Sequence, residues 1–507
     1  MNKYNILAFA SGPILAGLVG ILCFNVDGMT NEAAWTAVIT TLCAVWWILE
    51  PIHIAVVSLI PFALFPAFGI LSYKTAAAPL GNHLIILFMG GFMLSAAMEK
   101  TGTHHKIAYW VLKMVGIHSR RRILLGFMLA TAGLSMWISN TATTLMMLPI
   151  ALATLAQDEE ETMVVPLLLI ICYSASIGGV ATLIGSPPNA IFIKNYQEFT
   201  GIEMSFTEWM SIGGIIPLIM LPIVWLWLAR LVPSKNTKPI NLPRLENWTT
   251  AQQRVLIVFL VTATLWVTRA IPLGTWQVGE QEVLIRGWGG LLEHYLGIGT
   301  IGDSTIAIFA VLALFIIPDS EPHNDTKHHG LLDWASAERI PWGILLLLAG
   351  GMVIAEGFVA SGLTNILGQQ LVLLADLPLW LIIGFICLMV TFLTEITSNT
   401  ASANVLLPIL GSASISLNLD NPLLIMLPAT ISASFAFMLP VATPPNAIIM
   451  SSNKIPIHVM AREGLLLNFI GAIIVSSFLQ CSIFFREALI NTARNMTKKE
   501  RRRYGRK

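Results

Sequence analysis

The sequence carries the same landmarks twice, in the same order and at nearly constant separation. Gly90-Gly91-Phe92-Met93 is followed by SNTATTLMMLPI from Ser139 and SASIGGVATLIGSPPNAI from Ser174. Gly350-Gly351-Met352-Val353 is followed by SNTASANVLLPI from Ser398 and SASFAFMLPVATPPNAI from Ser432. Gly350 lies 260 residues after Gly90, Ser398 lies 259 after Ser139, Ser432 lies 258 after Ser174, and Pro444 lies 257 after Pro187. Four landmarks in register exclude compositional accident. The chain holds two copies of a unit of roughly 200 residues.

Composition says where those copies fold. Of 507 residues, 11% are Asp, Glu, Lys or Arg and 55% are hydrophobic; soluble proteins carry about 25% charged residues. That scarcity excludes a soluble enzyme and a disordered scaffold. The net charge of +1 gives no bulk attraction for nucleic acid. Cys23, Cys43, Cys172, Cys387 and Cys481 each lie in apolar stretches without C-x-x-C spacing, and read as small buried hydrophobes. The expected class is an all-α polytopic membrane protein. Spans of about 20 apolar residues are predicted near 6–24, 33–49, 52–71, 84–99, 162–184, 210–230, 253–271, 303–318, 341–357, 421–442 and 464–485.

Stretches 122–156 and 378–415 are too long for one helix and are interrupted by Ser-Asn-Thr, as re-entrant hairpins would be. Residues 100–121 mix Lys100, Lys106, Lys113, Arg120 and Arg121 with apolar side chains and suit an interfacial amphipathic helix. The expected organisation is a first transmembrane helix at 1–30, repeat 1 at 31–232, a cytoplasmic linker at 233–252, repeat 2 at 253–486 and a basic tail at 487–507. With the N-terminus inside, cytoplasmic segments gather sixteen Lys/Arg, against Lys74, Lys194, Arg269 and Arg286 outside. Eleven spans would also place the nine cations of Arg486–Lys507 outside, which conflicts with that bias. Five spans plus a hairpin per copy invert the second copy relative to the first, as in secondary transporters with broken midplane helices.

The motif residues have matching chemistry. A break at Ser139-Asn140-Thr141 or Ser398-Asn399-Thr400 frees backbone carbonyls, which with hydroxyl and amide oxygens suit Na⁺. The departing half-helix presents N–H groups and a positive dipole end to an anion. Each motif is otherwise a simple N-cap, but the paired occurrence, each with a proline beyond it (Pro149, Pro408), favours the binding tip. The Pro-Pro pairs at 187–188 and 444–445 must interrupt their helices, either as kinks or as breaks facing the tips. Glu356 and Glu395 are intramembrane carboxylates. Glu395 reads equally as a group that orients the hairpin or tunes sodium affinity and as a structural carboxylate bonded to backbone. Gly297-Ile-Gly-Thr-Ile-Gly302 matches a dinucleotide fingerprint but follows no strand, and is a loop.

The paired SNT and PPNAI motifs and the eleven spans resemble the divalent anion–sodium symporter family, the Indy-type dicarboxylate transporters, from about residue 30 to 485. The resemblance implies a scaffold part that dimerises and a transport part, with both hairpins, that moves as an elevator. It implies substrate contacts at Ser139, Asn140, Thr141, Ser398, Asn399, Thr400, Thr443 and Pro444. It implies one sodium near Ser135, Ser139, Asn140 and Gly185 and another near Thr394, Thr397, Asn399 and Ala442, partly through backbone carbonyls.

The expectation is therefore a sodium-coupled symporter of C4-dicarboxylates such as succinate, malate and fumarate. It would be no enzyme, would use no cofactor beyond the coupling ion Na⁺, and would act as a homodimer in a bilayer, in a bacterial inner membrane. The alternatives are a sodium-independent dicarboxylate/citrate exchanger, a membrane enzyme for which His104-His105 is the one faint candidate, and a channel, which rarely needs two facing broken hairpins.

Overall fold

The computed structural model describes residues 3–26, 28–116, 119–156, 162–232, 247–278, 281–297, 301–320, 329–364, 366, 377–417, 419, 421–478 and 480. The 233–246 part of the expected linker, Cys481 and the basic tail lie outside the described residues. Among those described, seven helices are long and apolar enough to cross a membrane: Ile6–Phe24, Asn31–Leu49, Tyr73–Thr101, Phe206–Ala229, Thr250–Arg269, Trp342–Ala360 and Ile457–Phe478. The others are shorter, because prolines and polar motifs break them.

Local sequence explains most boundaries. Thr30 and Asn82 accept backbone N–H bonds at the starts of Asn31–Leu49 and His83–Thr101. Ser205/Glu208 and Thr249/Gln252 form capping boxes. The expected 52–71 span is two helices, Ile54–Val57 and Ile60–Ala67, separated just before Pro61. The expected 253–271 helix starts at Thr250, directly after its cap Thr249. Helix Lys3–Phe24 leans on Asn31–Leu49 through Trp46 Nε1, which donates to Phe9 O at 3.1 Å. Leu7, Ile14, Ile21 and Leu22 on it stay exposed, as lipid contact requires.

Residues 103–115 form an amphipathic helix with Ala108 and Leu112 buried and Trp110 and Met114 exposed. The stretch after Arg269 departs from the helical pattern. Pro272–Val278 and Gln281–Arg286 pair as an antiparallel hairpin, followed by helix Gly287–Leu296.

Two cores organise the molecule. A smaller one joins Asn31–Leu49, Ile60–Ala67 and Trp342–Ala360 around Trp47, Phe65 and Phe358. The larger one surrounds Val164–Gly179, in which residues 166–179 are all buried. Around it lie two helix–tip–helix units, Arg120–Ser135 with Asn140–Leu155 and Leu379–Thr394 with Asn399–Ser416. The helices after the Pro-Pro breaks cross over: Pro187–Thr200 packs on Asn399–Ser416 of the other repeat, and Pro444–Ser451 packs on Asn140–Leu155.

Candidate functional site

Each tip is a three-residue loop preceding an extended N-cap serine, Ser139 or Ser398. Ser135 Oγ, at the end of the arriving helix, lies 2.6 Å from the Asn140 amide and donates to Ala175 O at 2.7 Å. In the second repeat Thr394 Oγ1 lies 2.6 Å from Asn399 Oδ1 and 3.1 Å from Ala433 O. Ser135 and Thr394 are 259 residues apart, as are Asn140 and Asn399, while Ala175 and Ala433 differ by 258. The duplicated motif has thus folded into a duplicated constellation of hydroxyl, amide and backbone carbonyl.

The Asn140 amide is satisfied in only one of its two orientations. With the oxygen inward, Oδ1 would sit among other acceptors, Ala175 O and Gly185 O. Turned over, the nitrogen donates to Ala175 O (3.0 Å), Gly185 O (3.2 Å) and Ser135 Oγ (2.6 Å). An amide oxygen facing carbonyl oxygens is tolerable only around a cation, whereas the turned form is self-sufficient without one. Two glycines make the approach possible. A Cβ on Gly179 would clash with Asn140 Oδ1 and lie 2.9 Å from Gly185 O, and one on Gly185 would lie 3.0 Å from Met136 O.

The breaks before the Pro-Pro pairs are held by matched asparagines. Asn189 Nδ2 donates to Gly179 O (2.9 Å) and Thr182 O (2.7 Å). Asn446 Nδ2 donates to Ala436 O and Leu439 O, both at 3.0 Å. Freed carbonyls at membrane depth need such donors. The two breaks meet where Ser186 Oγ lies 3.3 Å from Ser434 Oγ.

The repeats differ in what ties break to tip. In the first, Thr182 Oγ1 donates to Met136 O, and Trp209 Nε1 donates to Val180 O at 3.0 Å. In the second, Glu395 accepts from Met438 N and Leu439 N (2.9 Å each) and from Asn468 Nδ2 (2.6 Å), while Asn468 Oδ1 accepts from Phe437 N at 3.2 Å. Glu395 and Asn468 each stand 259 residues after Met136 and Trp209. The contacts are kept and their chemistry is exchanged. Of the two readings of Glu395, its position is that of a carboxylate bonded to backbone.

The remaining named residues fall into place around these constellations. Ser139, Asn140, Thr141, Ser398, Asn399 and Thr400 are half-buried, Thr443 and Ala442 are buried, and Pro444 is exposed. Ser139 Oγ accepts from Ala142 N at 3.3 Å, and Thr443 Oγ1 accepts from Asn446 N at 3.2 Å. The Thr397 hydroxyl is turned to Leu393 O (2.9 Å) and Ser402 Oγ (2.5 Å), not to Asn399. A cavity of about 420 Å³ ends on Ser139 and Ala142.

Sequence reasoning missed the carbonyls of Ala175 and Ala433, which carry no side-chain signal, and Asn468, whose repeat counterpart is a different residue type. It placed Lys194 and Arg269 in outside loops. Lys194 is instead buried, 2.9 Å from Glu198 and donating to Met352 O at 2.8 Å, and Arg269 pairs with Asp303 at 2.5 Å. Glu356 lines a small cavity with Glu198, away from both tips. His104, the candidate for an enzymatic site, is buried with Nδ1 2.8 Å from Met98 O. Burial first, then its neighbour His105, holds its pKa down at about 4.

A profile of the family described as the sodium:sulfate symporter transmembrane region matches residues 8–483. A Staphylococcus saprophyticus protein named sodium-dependent dicarboxylate transporter SdcS is 37% identical over 494 residues, covering 94% of this chain and 90% of its own length. A protein of the same name from Staphylococcus aureus is 38% identical over 484 residues, covering 92% and 88%. The Alcanivorax borkumensis YdaH transporter shares the fold, with a TM-score of 0.58 at 11% identity over 95% of this chain and 98% of that one.

Proposed function

The chain belongs to the sodium:sulfate symporter family, and we propose on that basis that it is a sodium-coupled symporter of C4-dicarboxylates such as succinate, malate and fumarate. In this reading it performs no enzymatic chemistry, works in a bacterial plasma membrane and assembles as a homodimer. The observation that carries the reading is the twin hydroxyl–amide–carbonyl constellation at Ser135/Asn140/Ala175 and Thr394/Asn399/Ala433. Each would hold one sodium.

Coupling follows from the amide geometry. With sodium bound, Asn140 Oδ1 turns inward to the ion, and Nδ2 is released from Gly185 O and Ala175 O to face the cavity over Ser139. There it can donate to a carboxylate oxygen. Without sodium, the nitrogen is taken up by carbonyls and the anion site loses a donor. Ion binding therefore favours the conformation that binds substrate, which is the differential affinity that a symporter requires. The tips hold no cationic side chain, so the bound ions supply the positive charge a dicarboxylate needs.

The organisation read from sequence completes the proposal. The two helix–tip–helix units and the crossed helices after the Pro-Pro breaks form the moving body. The small core around Trp47, Phe65 and Trp342–Ala360 belongs to the stationary one, and the motion is an elevator. The test is uptake in proteoliposomes. An inward sodium gradient should drive succinate uptake by the unmodified protein, and Asn140→Ala or Asn399→Ala should abolish it while melting in detergent stays sharp. Near-normal uptake by both variants refutes the site. Uptake driven by internal dicarboxylate without sodium would identify an exchanger instead.

A further inference from the structure

Two cavities occupy matching places in the two repeats. The larger, about 420 Å³, runs from Ser139 and Ala142 past Ala96 to a mouth at Glu99, Lys100 and Arg339. The smaller, about 270 Å³, is lined by Thr75, Glu198, Glu356, Val359 and Ala360, with no contribution from the second tip. Glu356, Val359 and Ala360 stand 260 residues after Ala96, Glu99 and Lys100. Duplication has made the cavities alike in position, and later substitution has given them different charges: Glu99, Lys100 and Arg339 line the one, Glu198 and Glu356 the other.

Beside the smaller cavity the ammonium of Lys194 is committed to Glu198 and Met352 O, and Glu356 adds a further carboxylate to the lining. In the larger, Lys100 is committed to Asp333 at 2.7 Å and Gly330 O at 3.2 Å. Arg339 is exposed at the mouth and has no carboxylate partner among the described residues. It follows helix Trp334–Ala337, whose cap Asp333 is the carboxylate that holds Lys100, so the mouth is fixed to the helix ending at Thr101. An unpaired guanidinium thus stands above an anion site with no cation of its own.

We propose that Arg339 is the anion-capturing residue of this vestibule, holding a carboxylate of the substrate on its way to or from Ser139, and that this port serves one face of the membrane only. The proposal rests on the dicarboxylate symport reading. A guanidinium binds a carboxylate through two parallel hydrogen bonds. Apolar walls such as Phe92 and Ile340 focus its field into the cavity. Because the side chain is exposed, salt screens its pull. Charge placement puts this mouth, with Lys100 and Arg120–Arg122 nearby in sequence, on the cytoplasmic face. The carboxylate-lined cavity of the other repeat offers a dianion no such station.

The experiment measures half-saturating succinate separately from each face, in inside-out and right-side-out proteoliposomes, for the unmodified protein, R339E and R339K. At the Lys100 face R339E should raise it about tenfold, R339K should stay within about threefold, and the difference should shrink as ionic strength rises. Half-saturation at the opposite face, half-saturating sodium and detergent melting should not move. An unchanged value for R339E, or an equal rise from both faces, overturns the proposal. If the unmodified protein shows no sodium-driven succinate uptake, the symport reading falls and this proposal with it. If it does and R339E matches it, this proposal alone fails.

Discussion

Asn140 and Asn399 were legible in the sequence because each appears in a repeated motif, and repetition filters out accidental matches. Glu395 was legible as a charge in an apolar stretch, but its role depends on Asn468, which lies 73 residues away and has tryptophan as its counterpart. Truncation as Glu395→Ala leaves Met438 N, Leu439 N and Asn468 Nδ2 unpaired, at a cost of about 3 kcal/mol. The expected result is a clear fall in the detergent melting temperature, with a smaller fall for Glu395→Gln. An E395A protein that melts like the unmodified one would refute this role.

Lys194 was misplaced because a lone lysine in sequence looks solvated, while the carboxylate one helical turn on makes its burial tolerable. Asp333 gives a pH prediction outside the spans. Burial raises its pKa, but hydrogen bonds from Lys100 and Ser336 outweigh that and hold it below the ordinary aspartate value. A depressed carboxylate pKa stabilises the fold above its unfolded value, and that contribution is lost as pH falls through the folded one. The melting difference between the unmodified protein and Asp333→Asn should therefore be largest near neutrality and vanish in acid. A difference constant with pH would count against it.

Helices and their interruptions were read with uneven success. Apolar length located the long helices, and Ser-Asn-Thr located the tips, since an N-cap signal inside an apolar stretch has few other uses. Boundaries set by capping boxes moved by a few residues, as at Thr250. The Pro272–Arg286 hairpin carried no motif, and hydropathy is silent about pairing in a short strand. The Pro-Pro breaks were predicted, but not the means of holding them, because only the folded chain shows that Asn189 and Asn446 each bridge two carbonyls. Replacing either by alanine orphans two acceptors, costing about 2 kcal/mol. N189A and N446A should each weaken the thermal stabilisation that sodium gives the protein. Sodium-induced shifts as large as in the unmodified protein would show that the bridges are not needed to shape the site.

Taken whole, the molecule is asymmetric where its sequence is symmetric. One cavity reaches its tip at Ala142, and the other stops short of Ala401, which is fully buried and lies 259 residues on. A cysteine at Ala142 should react with a membrane-impermeant thiol reagent from the Lys100 face, and sodium with succinate should protect it. A cysteine at Ala401 should react only from the opposite face and only while transport runs. Labelling of both from one face would contradict alternating access. The native Cys43, Cys172 and Cys387 are buried, whereas Cys23 is half-buried, so the labelling is done with Cys23 and Cys481 replaced by serine.

The crossing of the two helices after the Pro-Pro breaks has a consequence for descent. Each repeat completes its partner's half of the site, since Pro187–Thr200 lies on the second hairpin unit and Pro444–Ser451 on the first. Neither copy alone supplies both of the helices packed at its own hairpin unit. With the second copy inverted, as the proposed organisation has it, a half-length chain would need an oppositely inserted copy of itself to make the same contacts. If the chain were divided between Ala229 and Thr250, the fragments would then be expected to recover transport when co-expressed and to be degraded when made alone.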